Sequence, residues 1–145
     1  MKIFLLILML ASFSFSYGQT DGNAALSDQQ KPVTLVFDQD EFNGRFSVMV
    51  QSDGNYDYYA VDLTSLNDRF ERVYFMNLTY PESKLINIDG DIDKDQVWFK
   101  AYYTNKEPEI TCLFKDLKEK TGETALKMTS AEKSAWLASH DKFKK

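Results

Sequence analysis

The sequence predicts an α+β domain in which helices lie on one face of an antiparallel sheet of four to six strands. Two observations support this fold class. Residues 45–63 and 84–103 are rich in alternating, β-branched and aromatic residues on either side of turn signals. Two later segments, beginning near residues 108 and 130, carry the residues that start α-helices. The length of 145 residues corresponds to one small domain.

The first predicted elements are strands. Residues 33–37 form a short β-type run, and residues 45–51 alternate apolar and polar side chains as a half-buried strand does. A Ser-Asp-Gly-Asn turn signal follows, and residues 56–63 resume a β-type composition. We therefore predict a hairpin over 45–63, with Tyr59, Val61 and Leu63 on its inward face.

The next segment, residues 66–79, is compatible with either a helix or a strand. Leu66, Phe70 and Val73 follow helical spacing behind Thr64 as an N-cap, whereas residues 73–76 have high β propensity. The helix is preferred because the periodic segment is longer than a typical strand and Pro81 closes it.

Two further strands are predicted at residues 84–89 and 96–103, joined by an acidic turn at 90–95. Pro108 then begins a helix that Gly122 is expected to end, so this helix is predicted over 108–121.

A last helix is predicted over residues 130–143. Thr129 and Glu132 have the spacing of a capping box, in which each side chain accepts from the other residue's backbone N–H. The apolar stripe of this helix contains Trp136, Leu137, His140 and Phe143.

The charge balance excludes two classes of partner. With 17 Lys and Arg against 22 Asp and Glu, the formal charge is −5, and no basic stripe is present. Nucleic acids and anionic membrane surfaces bind clustered Lys and Arg, so neither is expected as a partner.

The first residues predict export. Met1-Lys2 precedes nine apolar residues at 3–11, and Ser16 and Gly18 fit a cleavage site. We therefore expect residues 1–18 to be a signal peptide cleaved near Gly18. The product is predicted to be periplasmic or secreted, as small exported bacterial proteins are, without an integral membrane segment.

After cleavage, the chain divides into two parts. Residues 19–31 are small and polar and predict a flexible leader, and residues 32–145 form the single α+β domain.

The only cysteine, Cys112, cannot form an intramolecular disulfide. On the predicted helix it lies opposite the apolar stripe, which predicts an exposed free thiol able to pair with another chain. The alternative is a small buried side chain beneath a second element. The only histidine, His140, is expected to pack beside Trp136, so a Cys–His catalytic pair is not indicated.

Aromatic residues provide the candidate binding surface. Strand alternation places four of them, together with one methionine, on the sheet face opposite Tyr59 and Phe99. That set consists of Met49, Tyr56, Tyr58, Trp98 and Tyr102. Tyrosine and tryptophan offer a large contact area with a polar group, so the surface suits a protein, a peptide or a sugar. The alternative is that the last helix covers this face and makes it a second core layer.

The acidic turn is a candidate calcium site. Asp89, Asp91, Asp93 and Asp95 are spaced as the first oxygen ligands of a calcium loop are. An EF-hand needs glycine and glutamate at the later positions where this chain has Lys94 and Lys100. A weak site completed by carbonyl oxygens, or a solvated hairpin turn, are the two interpretations.

The element order over residues 56–121 resembles the βαββα unit of ferredoxin-like folds. The spacing from Thr64 to Ile86 and the helix ending at Thr121-Gly122 are similar to those of the heavy-metal-associated domain. That family binds metal through a Cys-x-x-Cys pair before its first helix. Here residues 62–66 read Asp-Leu-Thr-Ser-Leu, so the resemblance implies a topology and no metal ligand.

These observations predict an exported, non-enzymatic binding module of unknown ligand and no required cofactor. A calcium-stabilised structural protein that uses the turn 89–95 is one alternative. A small carboxylate-dependent hydrolase is another, because folding can bring together carboxylates that are far apart in sequence.

Overall fold

The computed structural model describes residues 36–144, which form four strands, three α-helices and two short 3-10 helices. The strands are β1 (Ser47–Ser52), β2 (Tyr56–Asp62), β3 (Ile86–Asp89) and β4 (Gln96–Tyr102). The α-helices are α1 (Arg69–Thr79), α2 (Glu107–Lys127) and α3 (Ser130–His140), and the 3-10 helices are Gln39–Phe42 and Leu63–Ser65. None of these described helices is long and apolar enough to cross a membrane.

The predicted signal peptide (1–18) and leader (19–31) lie outside the described residues. So does most of the predicted strand at 33–37, and its last two residues, Val36 and Phe37, are not in a strand.

The four strands form one antiparallel sheet in the order β1-β2-β4-β3. The predicted α+β class and antiparallel sheet are therefore confirmed, and the hairpin predicted over 45–63 is β1 and β2. Because β2 and β3 both run antiparallel to β4 between them, they run parallel to each other. Helix α1 makes the crossover that joins them, as a parallel pair requires.

Helices α1 and α2 pack against one face of the sheet, and α3 packs against α1 on the same side. Tyr59, Val61 and Phe99 on this face belong to the same buried cluster as Phe75 of α1 and Phe114 of α2. The rings of Phe99 and Phe114 lie 5.1 Å apart between centroids. Each such side chain stabilises the folded state by about 1.5–3 kcal/mol when fully buried. This cluster is larger than the second one described below and is the main core.

Helix α1 confirms the preference for a helix over a strand, but it begins later than residue 64. The side chain of Asp68 accepts from the backbone N–H of Glu71 and caps the helix. The Asp62 side chain accepts from the N–H of Thr64 and caps a separate 3-10 helix, Leu63–Ser65. Two capping residues in series therefore divide the segment that periodicity alone reads as one helix.

The end predicted for α2 is wrong. The helix continues through Gly122 to Lys127, because Thr121 and Ala125 extend its buried face. Gly122 is not among the glycines with a left-handed backbone, so it does not act as a helix terminator. The capping box of Thr129 and Glu132 is confirmed at the start of α3, which ends at His140.

Residues before β1 cover the second face of the sheet. Phe42 is 2% exposed and joins Tyr58, Ala60 and Trp98 in a second buried cluster. Phe37 packs edge-on against Phe42, with ring centroids 4.9 Å apart. The alternative in which the last helix covers this face is wrong.

The apolar side chains of α3 lie on the other side of the sheet. Trp136 packs at 5.3 Å from the rings of both Phe70 and Tyr74 of α1. Trp136, Leu137 and Phe143 are partly buried and pack against the main core cluster.

Met49 lies on the helix side of the sheet, so its predicted place beside the aromatic residues is wrong. It pairs in regular register with Tyr59 of the main core, and Val48 pairs with Ala60 of the second cluster. Alternation therefore holds up to Met49, but the prediction assigned Met49 to the wrong face. The register shifts only after it, between Met49 and Gln51.

The packing of Phe42 on the second face of the sheet gives a testable prediction. Phe42→Ala should lower the free energy of unfolding by about 3 kcal/mol, since it leaves a cavity above Trp98. In a Trp136→Phe background, the fluorescence of Trp98 should also shift to longer wavelength. Urea unfolding and emission spectra measure both effects.

The matched control is Val36→Ala, because Val36 is 82% exposed. A Phe42→Ala variant as stable as this control would show that Phe42 does not seal the second face.

Candidate functional site

The four predicted aromatic residues lie on one face of the sheet but differ in accessibility. Tyr56 pairs with Tyr102 across β2 and β4, and Trp98 pairs with Ala60 on the same face. Trp98 is 4% exposed and Tyr58 is 6% exposed, whereas Tyr102 is 53% exposed. Tyr58 and Trp98 therefore offer almost no surface to a ligand and serve as the support beneath it.

The accessible part is a surface that we call the open aromatic end, formed by Tyr56, Lys100 and Tyr102. The rings of Tyr56 and Tyr102 stack with centroids 4.8 Å apart. The Lys100 ammonium lies 4.0 Å from the centroid of the Tyr56 ring, within cation–π distance. A hydrogen bond with Tyr56 raises the pKa of the Tyr102 hydroxyl.

The β1–β2 turn holds the supporting tyrosine in place. The Asp53 carboxylate accepts from the Tyr58 hydroxyl at 2.7 Å and from the backbone N–H groups of Tyr56 and Asn55 at 2.8 and 2.9 Å. Partial burial opposes ionisation of Asp53, but these hydrogen bonds outweigh it and lower the pKa of the carboxyl group. Burial and the bond to Asp53 raise the pKa of Tyr58. The turn is thus tied to the sheet face next to Tyr56.

The aspartates of the acidic turn are not gathered into one group. Two of them have separate basic partners, since Asp93 pairs with Arg69 at 3.2 Å and Asp89 with Lys94 at 3.3 Å. Arg69 also pairs with Asp141 at 2.7 Å, which ties the turn and α1 to the residues after α3. Within residues 36–144, no group of three or more acidic, histidine or cysteine side chains could hold a metal. The set Asp89, Asp91, Asp93 and Asp95 therefore has no geometric support as a calcium site.

Cys112 is an exposed free thiol on α2, so the alternative of a covered side chain is wrong. His140 stacks on the Trp136 ring with centroids 4.4 Å apart. Its Nδ1 lies 2.9 Å from the Trp136 carbonyl oxygen. This confirms the expected packing of the histidine beside Trp136.

A cavity of about 450 Å³, which sequence reasoning missed, lies between the start of α1, the second half of α2 and the start of α3. Its walls include the charged side chains of Asp68 and Glu71 at the start of α1, Lys118 of α2 and Lys133 of α3. These residues come from three separate helices, so no local motif connects them. Gly122, which the sequence analysis read as a helix end, lies inside α2 on this wall.

In comparisons with known proteins, the chain matched no family model, no curated protein and no solved structure.

Two adjacent tyrosines provide a matched prediction. The Tyr58 hydroxyl donates to Asp53, whereas the buried Tyr59 hydroxyl has no partner among the described residues. Tyr58→Phe should therefore lower the free energy of unfolding by about 1–2 kcal/mol. Tyr59→Phe should be neutral or stabilise by up to about 1 kcal/mol. Urea denaturation of both variants measures the difference, and equal losses would contradict the assigned hydrogen bonds.

The Asp53 network also predicts a pH dependence. Because the folded protein lowers the pKa of Asp53, its ionised form stabilises the fold above the unfolded value, about 3.9. This stabilisation is lost as the pH falls through the folded pKa. Asp53→Asn should therefore cost about 1 kcal/mol at pH 7 and nothing below the folded pKa. A cost that does not change between pH 7 and pH 2.5, measured by urea unfolding, would rule this out.

Proposed function

We propose that the protein is an exported, non-enzymatic binding module that holds a protein or peptide partner at the open aromatic end. The observation that carries this proposal is the stack of the exposed Tyr102 on Tyr56, with the Lys100 ammonium over the Tyr56 ring. Export rests on the signal-type sequence of residues 1–18.

The rigidity of this surface supports binding. Tyr56 and Tyr102 sit on adjacent central strands, and the buried Trp98 and Tyr58 lie on the same face. A partner therefore meets side chains that are already ordered, and little conformational entropy is lost on association. Tyrosine is enriched at the centres of protein interfaces for the same reason.

The charge of the surface indicates the kind of partner. The chain carries a formal charge of −5, yet the open aromatic end presents the cationic Lys100 against the Tyr56 ring. An acidic side chain of a peptide can pair with Lys100 while an adjacent apolar side chain covers the Tyr102 ring. We therefore favour a peptide segment that combines acidic and apolar residues over a neutral sugar.

Site-specific photo-crosslinking in cells tests this proposal. A benzophenone amino acid placed at Tyr102 should yield one dominant protein adduct. The same group at Tyr80, which is 45% exposed but lies at the end of α1, should yield none or a different one. Lys100→Ala in the Tyr102-labelled chain should reduce the adduct severalfold without changing the melting temperature.

Identical adducts from both positions, or no adduct from either, would contradict the proposed surface. An adduct with a polysaccharide at Tyr102 alone would retain the surface and replace the peptide by a sugar.

A further inference from the structure

The cavity between the three helices carries an inference that is independent of the open aromatic end. We propose that it binds a small zwitterion with an apolar side chain, namely an apolar α-amino acid or a dipeptide of such residues. Its volume of about 450 Å³ lies within the range of small-molecule sites.

One cavity residue is a buried carboxylate that forms no ion pair among the described residues. Glu71 is 8% exposed and lines the cavity. Its two carboxylate oxygens accept from the N–H and the Nδ2 of Asn67, at 3.1 and 3.2 Å. Among the described residues, no lysine or arginine forms an ion pair with Glu71. A ligand ammonium would offset the cost of burying this carboxylate and use its remaining lone pairs.

Two lysines line the same cavity. Lys118 of α2 lies over the Phe46 ring at 5.2 Å, and Lys133 of α3 lies over the Phe70 ring at 5.5 Å. Neither lysine is in an ion pair within residues 36–144. Two ammonium groups from different helices on one cavity suit a carboxylate. Together with Glu71, they present the two opposite charges of a zwitterion with complementary partners.

The cavity is also lined by a glycine at a helix position where another residue would be more stable. Gly122 lies inside the 21-residue helix α2, where glycine is less favourable than alanine. Its backbone is not left-handed, and a Cβ built on it meets no atom within 4 Å. Neither backbone conformation nor crowding therefore requires glycine here. The glycine keeps one wall of the cavity open. A residue that lowers helix stability in this way is typical of functional sites.

Apolar residues define the rest of the ligand. Leu66 and Ala125 are buried at the cavity, and Leu126 beside them is 89% exposed. A branched apolar side chain of the ligand that packs on Leu66 and Leu126 would remove Leu126 from water. L-Leucine and leucyl-leucine are therefore the two probes of choice.

The test is an NMR titration of the protein with each probe, read from backbone amide shifts. L-Leucine or leucyl-leucine should shift the amides around the cavity, including that of Gly122. Leucinamide, which lacks the carboxylate, and 4-methylpentanoate, which lacks the amine, should each bind at least about tenfold more weakly. The probe that binds more tightly distinguishes an amino acid site from a dipeptide site.

A cavity-filling variant separates binding from folding. Gly122→Met should abolish the shifts while the melting temperature stays the same or rises, because methionine favours a helix and meets open space. Gly122→Ala should raise the melting temperature by about 2–5 °C. Ala131→Met, at an exposed position of α3 outside the cavity, is the matched control and should bind as the wild type does.

Three results would overturn the inference. They are the absence of amide shifts with both probes at millimolar concentration, undiminished binding by Gly122→Met, and equal binding of leucinamide or 4-methylpentanoate. Photo-crosslinking from Tyr102 should proceed normally in Gly122→Met, so failure of this site and failure of the open aromatic end are distinguishable.

Discussion

The structure depends on the burial of the central strands β2 and β4 on both faces. Tyr59 and Val61 face the helices while Ala60 faces the other way, and all three are completely buried. In β4, Trp98 and Phe99 likewise lie in different clusters. The helices can cover only one face, so the second needs another cover, which the segment around Phe42 provides. What remains accessible is the end of the sheet that this cover does not reach, and this is where the open aromatic end lies.

Local signals predicted most of the fold, and the errors arose where two signals competed or a contact was nonlocal. The hairpin and the capping box at Thr129 depend on neighbouring residues and were correct. The start of α1 was misplaced because Thr64 and Asp68 both resemble caps, and hydrogen bonding selected Asp68. Gly122 was read as a helix end because its usual role is to adopt a left-handed backbone, which the buried face of α2 prevents. No residue pattern in the sequence predicted the register shift after Met49.

The candidate site was predicted only in part, for similar reasons. Alternation placed Tyr56, Tyr58, Trp98 and Tyr102 on one face, but their burial depends on residues from elsewhere in the chain. The spacing of the aspartates in the acidic turn resembles that of a calcium loop. The spacing does not reveal that Asp93 pairs with Arg69, because Arg69 lies on another element. The cavity was invisible because Glu71, Lys118 and Lys133 come from three helices. Sequence spacing records neighbours along one element, whereas these sites are made by packing between elements.

The position of Phe42 has a consequence for the order of events in folding. Phe42 precedes β1, yet Trp98, a member of its cluster, belongs to the last strand in the chain. Until β4 has paired with β2, Trp98 is not in place. The ring of Phe42 and the hairpin face that carries Tyr58 and Ala60 then lack part of the surface they pack against. Closing such a distant contact is slow because loop entropy must be lost first. Quenching or shielding of Trp98 should therefore be among the last steps of folding, and a newly made chain presents an aromatic strand pair that a chaperone can bind in the interval.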